Sequence, residues 1–203
     1  MTVLAFDRYG SNAHLIAACA QLGYLPNDDK PVLDCTYGLG TFWKAYRPQT
    51  LIACDLEPAK SPIGFSVNFT SMELFRDRLF EAVVFDPPYK LNGTPDAAVD
   101  SRYGVHEVRS WRDRMELMYD GIAECARVSK RFLLVKCQDQ VCSGKVRWQT
   151  HDMICEAGRH RFGLVDRLDM LSYRPQPHGT RQEHARRNSS TLLVFERDFD
   201  PRR

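Results

Sequence analysis

Short apolar runs recur along the chain and predict a set of buried β-strands. Between several of the runs lie stretches with helical periodicity, notably Trp111–Val128 and residues 148–157. Strands that alternate with helices predict an α/β fold with a mostly parallel, doubly wound sheet. The runs that we assign to strands are residues 32–33, 51–54, 82–85, 132–135, 162–165 and 192–195.

The last part of the chain predicts a different strand arrangement. Phe162–Leu171 and residues 191–196 flank a loop rich in Pro, His, Gly and Arg, which is typical of a hairpin pair and puts an antiparallel strand at or near the sheet edge. Residues 90–110 show no clear periodicity, and a loop of this length inside a compact domain is generally functional or mobile. We therefore expect one domain over residues 1–203, with 90–110 as a mobile substrate loop.

The strand at residues 82–85 ends in a motif, Asp-Pro-Pro-Tyr at 86–89, that can hold a planar group bearing an amino group. The two prolines have no N–H, so they end the strand and offer only carbonyl oxygens. Asp86 adds two further acceptor oxygens, and Tyr89 adds a flat apolar face. An ordinary strand end is the alternative interpretation of the motif alone.

A second candidate site follows the strand at 32–33, where Asp34 precedes a turn containing Gly38 and Gly40, after which we expect a helix to start. Glycines let the backbone pass close to a ligand because no Cβ intervenes. Trp43 stands where a dinucleotide fingerprint needs a small residue, so NAD is disfavoured. Asp55 closes the next strand at a spacing that suits a carboxylate accepting from ribose hydroxyls, although it could instead cap the following segment.

Composition narrows the class of protein without naming a partner. The net charge of +2 argues neither for nor against nucleic acid. The seven cysteines form no C-x₂-C pair, which favours reduced thiols in the cytoplasm over a zinc or disulfide scaffold. We see neither a signal sequence nor an apolar run of the roughly 20 residues that span a bilayer, so we expect a cytoplasmic protein without membrane association.

Cations are concentrated near the C-terminus, between residues 173 and 188, where Glu183 is the single acid. Such a segment is either a solvated loop or a contact for phosphates. The cations of this basic segment are Arg174, His178, Arg181, His184, Arg186 and Arg187.

The order of these features resembles that of the exocyclic amino-group methyltransferases that modify adenine N6 or cytosine N4 in DNA. The glycine turn, Asp55 and the 86–89 motif follow in the family's γ order, and residues 130–140 and 184–189 resemble its later segments. The resemblance implies a Rossmann-like class I methyltransferase fold, S-adenosylmethionine as cofactor, no metal, and a monomer or homodimer acting on DNA in a bacterial or phage-infected cell. Asp at the first motif position is commoner among adenine-modifying members, so adenine is favoured.

The resemblance also implies roles for individual residues. Asp34 would reach the methionine amino group, and Ser71 or Met72 would lie near the adenine ring after a strand-like stretch at 66–70. The implied catalytic residues are Asp86, Pro87, Pro88 and Tyr89. The implied cofactor-binding residues are Asp34, Cys35, Tyr37, Gly38, Gly40, Thr41, Asp55, Leu56, Ser71, Met72 and Asp86. The implied substrate-binding residues are Tyr89, Lys90, Arg102, Tyr103, Arg181, Arg186 and Arg187.

The chain differs from this family in size, because members of the family usually carry a separate target-recognition domain. Either the 90–110 loop and the 174–187 segment read the target, or recognition is loose, or a dimer shares it. Cytosine N4, an RNA base and a protein glutamine side chain remain alternative acceptors. A methyltransferase-like nucleic-acid-binding protein without turnover is the alternative of another class.

Overall fold

A computed structural model describes residues 8–64, 66–91, 110–171, 183–185 and 187–199, and it confirms the α/β prediction. The apolar runs assigned to strands lie in strands, except that Cys54 follows the end of its strand. The strands are β1 (Arg8–Tyr9), β2 (Val32–Asp34), β3 (Leu51–Ala53), β4 (Phe80–Phe85), β5 (Ser129–Cys137), β6 (Gln140–Cys142), β7 (Lys145–Arg147), β8 (Phe162–Leu171) and β9 (Ser189–Arg197). The helices are α1 (Asn12–Gln21), α2 (Trp111–Val128) and α3 (Gln149–Arg159).

Seven of the strands form one sheet in the order β1-β8-β9-β5-β4-β2-β3. The strands β3, β2, β4 and β5 run parallel, and β9 runs antiparallel to both of its neighbours, β5 and β8. A mostly parallel sheet with an antiparallel C-terminal strand is therefore confirmed. The antiparallel strand lies inside the sheet, because the short β1 pairs outside β8 and forms that edge.

The start of α2 is fixed by a capping box. Ser110 Oγ accepts from the Asp113 N–H at 3.2 Å, and the Asp113 carboxylate accepts from the Ser110 N–H at 3.0 Å. The apolar face of α2 packs on β4, and at Gly121 a Cβ would collide with the Phe85 ring. The helix therefore lies unusually close to the strand that carries the 86–89 motif.

Two local expectations were wrong. The glycine turn leads into a short 3-10 turn, Thr41–Lys44, and not into an α-helix, with Trp43 at the non-helical angles φ −95° and ψ 15°. Residues 66–70 make only isolated bridges, Asp55 to Ser66 and Asn68 to Ser71. The Asn68 side chain accepts from the Thr70 N–H at 3.0 Å, and such a local turn competes with strand pairing.

The core has a layer on each face of the sheet. One layer packs α2 and α3 on the sheet around Phe85, and the other packs α1 and the 3-10 turn around Trp43. Within the described ranges, no helix is both long and apolar enough to cross a bilayer.

Candidate active site

Three aspartates lie at the carboxyl ends of adjacent parallel strands. Asp34 ends β2, Asp55 follows β3 and Asp86 follows β4. The register aligns Asp34 with Ala53 on β3 and with Val84 on β4, so the three side chains meet at one edge. This edge is where open parallel sheets bind their ligands.

Asp55 ties the glycine turn to the end of β3. One carboxylate oxygen accepts from the Gly38 N–H at 2.8 Å, and the other accepts from the Glu57 N–H at 3.0 Å. Asp55 therefore caps the following segment, which was the alternative to a contact with ribose hydroxyls. Each oxygen still has an acceptor site, because a carboxylate offers about four.

The glycine turn has a backbone conformation that requires glycine, while its approach to a ligand stays a prediction. Gly38 and Gly40 have φ of 54° and 63°, a region that favours glycine. A Cβ on Gly40 would lie 2.5 Å from the Tyr37 hydroxyl. Two leucines beside the turn are exposed, Leu39 by 70% and Leu56 by 46%, so this edge presents apolar surface next to the Asp55 carboxylate.

Asp34 is buried beneath the turn. Its Oδ2 accepts from Trp43 Nε1 at 2.6 Å, and its Oδ1 accepts from the Thr36 N–H at 3.0 Å. Burial raises the pKa of Asp34 to about 7, and the nearby carboxylates of Asp86 and Asp55 add to the shift. The observed contacts make Asp34 an anchor of the turn, and its contact with a methionine amino group stays a prediction.

The 86–89 motif offers hydrogen-bond acceptors in the Asp86 carboxylate and the Pro87 carbonyl. The Asp86 N–H donates to Thr36 Oγ1 at 2.8 Å, which ties the motif to the glycine turn. The Pro87 carbonyl accepts from the Tyr89 N–H at 2.7 Å and keeps its second lone pair. Burial raises the pKa of the Asp86 carboxyl to about 6, although the Lys136 ammonium acts in the opposite direction.

Lys136 is a site residue for which we predicted no role from the sequence. Phe85 pairs with Val135, so Asp86 and Lys136 are the next residues in register and share the α1 side of the sheet. Lys136 is fully buried, and its ammonium donates to Asn12 Oδ1 at 2.5 Å at the start of α1. Burial lowers the pKa of Lys136, and Asp86 opposes that shift. The sequence feature that could have indicated this site residue is a lysine inside an otherwise apolar strand.

Two glutamines fix the backbone after the motif. The Tyr89 carbonyl accepts from Gln140 Nε2 at 2.7 Å and from Gln149 Nε2 at 3.0 Å. Gln140 Oε1 in turn accepts from the Leu91 N–H at 3.0 Å. Lys90 is exposed, and its carbonyl accepts from Arg114. The half-buried Tyr89 is therefore held by side chains from β6 and α3.

The remaining predicted site residues lie in different surroundings. The side chains of Cys35 and Met72 are buried in the core, so ligand contacts from these residues fall to their backbone atoms. Thr41 and Ser71 are exposed. Arg187 lies with its guanidinium 4.6 Å from the centre of the Trp148 ring. The predicted residues that lie outside the described ranges are Arg102, Tyr103, Arg181 and Arg186.

No metal cluster of three or more His, Cys, Asp or Glu side chains occurs in the part of the chain that the structure describes. The aspartate edge therefore consists of acceptors, one buried ammonium and apolar surface. Such a set suits an organic ligand with hydroxyl and amino groups.

Comparisons with known proteins give a match in structure alone. No family model matches the chain, and no curated protein is similar to it in sequence. A Thermoplasma acidophilum protein, 1320, superposes with a TM-score of 0.57 at 8% identity, over 92% of this chain and 88% of its own. Magnesium protoporphyrin IX methyltransferase from Synechocystis PCC 6803, with bound S-adenosylmethionine, gives 0.54 at 11%, over 92% and 77%.

A third match is a Pyrococcus horikoshii protein, PH1948, described as a putative RNA methyltransferase, with a TM-score of 0.57 at 13% identity, over 93% of this chain and 83% of that one. The chain has the Rossmann-like fold of S-adenosylmethionine-dependent methyltransferases. On this methyltransferase fold, the aspartate edge lies where the sequence predicted the cofactor half and the catalytic half of the site. Membership of the amino-group DNA methyltransferases stays a prediction.

Proposed function

We propose that the chain transfers a methyl group from S-adenosylmethionine to the exocyclic amino group of a base in DNA, with adenine N6 favoured. One observation carries the proposal: the 86–89 motif is tied through Thr36 to the glycine turn, on a methyltransferase fold. Acceptors for an amino group and a turn suited to a cofactor therefore stand at the same edge of the sheet.

The residues at the glycine turn fit the cofactor. Gly38 and Gly40 have positive φ, so the turn exposes backbone without a Cβ, along which a cofactor would pass. Asp55 would accept from the ribose hydroxyls with its remaining acceptor sites, and the exposed Leu56 would cover one face of the adenine. S-adenosylmethionine, when bound, supplies an electrophilic methyl group on a sulfonium.

The 86–89 motif offers acceptors that would make the exocyclic amine of a base a better nucleophile. The lone pair of this amine is delocalised into the ring, so acceptors on both N–H bonds are needed to localise it on nitrogen. An Asp86 oxygen and the Pro87 carbonyl would accept those bonds in a partly buried pocket, where fixed dipoles act strongly. Tyr89 would stack on the base after it is flipped from the duplex, a step that costs a few kcal/mol.

Asp86 can also accept the proton that the amine loses. The amine nitrogen forms its bond to the methyl carbon as the carbon–sulfur bond breaks, and the nitrogen then carries one proton too many. Asp86, with a pKa raised to about 6, accepts that proton and passes it to water. Lys136 stabilises the Asp86 anion before transfer.

Incubation of the protein with isotope-labelled S-adenosylmethionine and duplex DNA tests the proposal. We expect mass spectrometry of the digested nucleosides to show label in N6-methyldeoxyadenosine, and none when DNA is replaced by RNA of the same sequence. Label in N4-methylcytosine would correct the base. Label only in RNA or in protein glutamine, or in no acceptor at all, would overturn the proposal.

Asp55→Ala is expected to weaken S-adenosylmethionine binding by about 10- to 100-fold, because hydrogen bonds to a charged group contribute about 1.5–3 kcal/mol. Isothermal titration calorimetry measures the affinity, and thermal unfolding shows whether loss of the Gly38 and Glu57 contacts has unfolded the chain. Asp28→Ala is the matched control, since Asp28 is a surface residue paired with Lys30 at 2.9 Å. Unchanged affinity in the folded Asp55 variant would remove Asp55 from the site.

A further inference from the structure

The hairpin formed by β6 and β7 lies outside the seven-stranded sheet, between β5 and α3. It bends at Ser143 and Gly144, both with positive φ, of 52° and 71°. Sequence periodicity did not predict this hairpin. Its first strand carries Gln140, whose side chain holds both Tyr89 and Leu91, so the hairpin is built against the end of the 86–89 motif.

Two arginines at this hairpin are stacked on tryptophans. The Arg147 guanidinium lies 3.8 Å from the centre of the Trp111 ring, and the Arg187 guanidinium lies 4.6 Å from that of Trp148. Nε of each arginine is buried and has no hydrogen-bond partner among the described residues. Stacking restricts the rotamers of both guanidinium groups and therefore restricts where their positive charge lies.

Further cations surround these two arginines. Arg112 and Lys145 are exposed, and none of the ion pairs between described residues involves the four cations. The nearby acid Asp113 is engaged in the capping box of α2. We call this set the hairpin surface: Arg112, Lys145, Arg147, Trp148 and Arg187.

The hairpin surface is coupled to the motif and to the basic segment. The Arg187 carbonyl accepts from Gln138 Nε2 at 2.9 Å, and the Gln138 N–H donates to Gln149 Oε1 at 2.8 Å. Gln149 in turn donates to the Tyr89 carbonyl at 3.0 Å. His184 also reaches the hairpin, with its Nε2 at 3.0 Å from the Gly144 carbonyl. The backbone at Arg187 and at the hairpin is therefore tied to the backbone at Tyr89 and to His184.

We propose that the hairpin surface is where DNA docks, with its cations on the phosphates that flank the base presented to the 86–89 motif. This inference rests on the proposed function, which requires a strand to run past Tyr89. A local cluster of four cations that form no ion pair with any described residue, in a chain of net charge +2, is complementary to a phosphate backbone.

Direct binding of a fluorescein-labelled DNA duplex tests the docking surface independently of turnover. Arg147→Gln combined with Arg187→Gln is expected to raise Kd about tenfold or more at about 150 mM salt, and to lower the slope of log Kd against log salt by about 1.8, since each phosphate contact contributes about 0.9. Lys145→Glu, on an exposed side chain, is expected to weaken binding in the same direction without a risk to folding. Unchanged affinity and slope in these variants would overturn the docking surface.

Arg131→Ala is the matched control, because Arg131 also stacks on an aromatic ring, Phe132 at 4.5 Å, but lies at the amino end of β5. We expect it to bind DNA like the wild type. Tighter binding of the wild type to RNA of the same sequence would overturn the DNA assignment. Methylation of DNA by the wild type, measured separately, decides the proposed function, so that either proposal can fail while the other stands.

Discussion

Asp86→Ala is expected to abolish methyl transfer to DNA while leaving the affinity for S-adenosylmethionine nearly unchanged. The variant removes the carboxylate that accepts from the base amine, and the loss of one preorganised polar group in a catalytic site costs about 10²–10³ in rate. Asp86 also takes the proton, so we expect a decrease of about 10³-fold or more. Single-turnover kinetics with labelled cofactor measure the chemical step, and calorimetry measures cofactor binding.

The geometry makes Asp86 a favourable site for this test. The contact between Asp86 and Thr36 uses the backbone N–H, so the substitution leaves the tie between motif and glycine turn in place. Asp86→Asn keeps one acceptor oxygen but loses the charge, and an intermediate rate is expected. Asp166→Ala is a suitable control, because this carboxylate on β8 accepts from the Tyr24 hydroxyl at 2.9 Å and belongs to another part of the sheet. Turnover by Asp86→Ala at the wild-type rate would refute the assignment of the motif.

The elements that the sequence predicted correctly are those whose signals are local. The strand β4 follows from an apolar run that two prolines terminate, and α2 follows from periodicity over Trp111–Val128. The placement of Asp34, Asp55 and Asp86 at one edge then follows from the parallel order of their strands. Pattern and topology together were therefore sufficient to locate the candidate site.

The contacts that tune the site were not predictable because they join residues far apart in the chain. Lys136 and Asn12 are 124 positions apart, and Gln149 and Tyr89 are 60 positions apart. No pattern of apolar and polar residues encodes which partner a buried polar side chain will find. Trp43 shows the same limit: its bulk argued against NAD, whereas its N–H holds the buried Asp34.

The Trp43 contact also explains the wrong helix prediction after the glycine turn. A buried tryptophan N–H needs a partner, and Asp34 is its partner beneath the turn. With the indole fixed there, the chain makes one 3-10 turn over Thr41–Lys44, within which Trp43 itself has non-helical angles. A tertiary contact has overridden a local preference, which is common where a loop must also shape a ligand site.

Lys136→Met is expected to shift the acid limb of the rate profile to higher pH. The pKa of Asp86 is raised to about 6 by burial, and the Lys136 ammonium is the one described charge that lowers it. Below that pKa, Asp86 is protonated and cannot accept the proton that the amine loses, so the wild-type rate should fall as pH drops through about 6. Without the ammonium the pKa rises, and the rate should already fall near neutral pH.

The pH profile of single-turnover methyl transfer measures this shift. Asp34, whose pKa is raised to about 7, and Asp55 also lie at this edge, and the variant keeps both residues. The substitution leaves Asp86 and Asn12 Oδ1 without the buried ammonium, so we expect a loss of stability that thermal unfolding measures alongside the rate. Lys136→Arg keeps the charge and should keep the acid limb.

Lys130→Met is the matched control for Lys136→Met, because Lys130 stands at the other end of β5, where its exposed ammonium lies 3.8 Å from the Glu81 carboxylate. It should leave the pH profile unchanged. An acid limb that stays in place in Lys136→Met, in a protein that still folds and binds S-adenosylmethionine, would show that the Lys136 charge does not act on the group that titrates. A shift in Lys136→Met alone would assign the acid limb to Asp86, because Lys136 is the residue beside it in the sheet register.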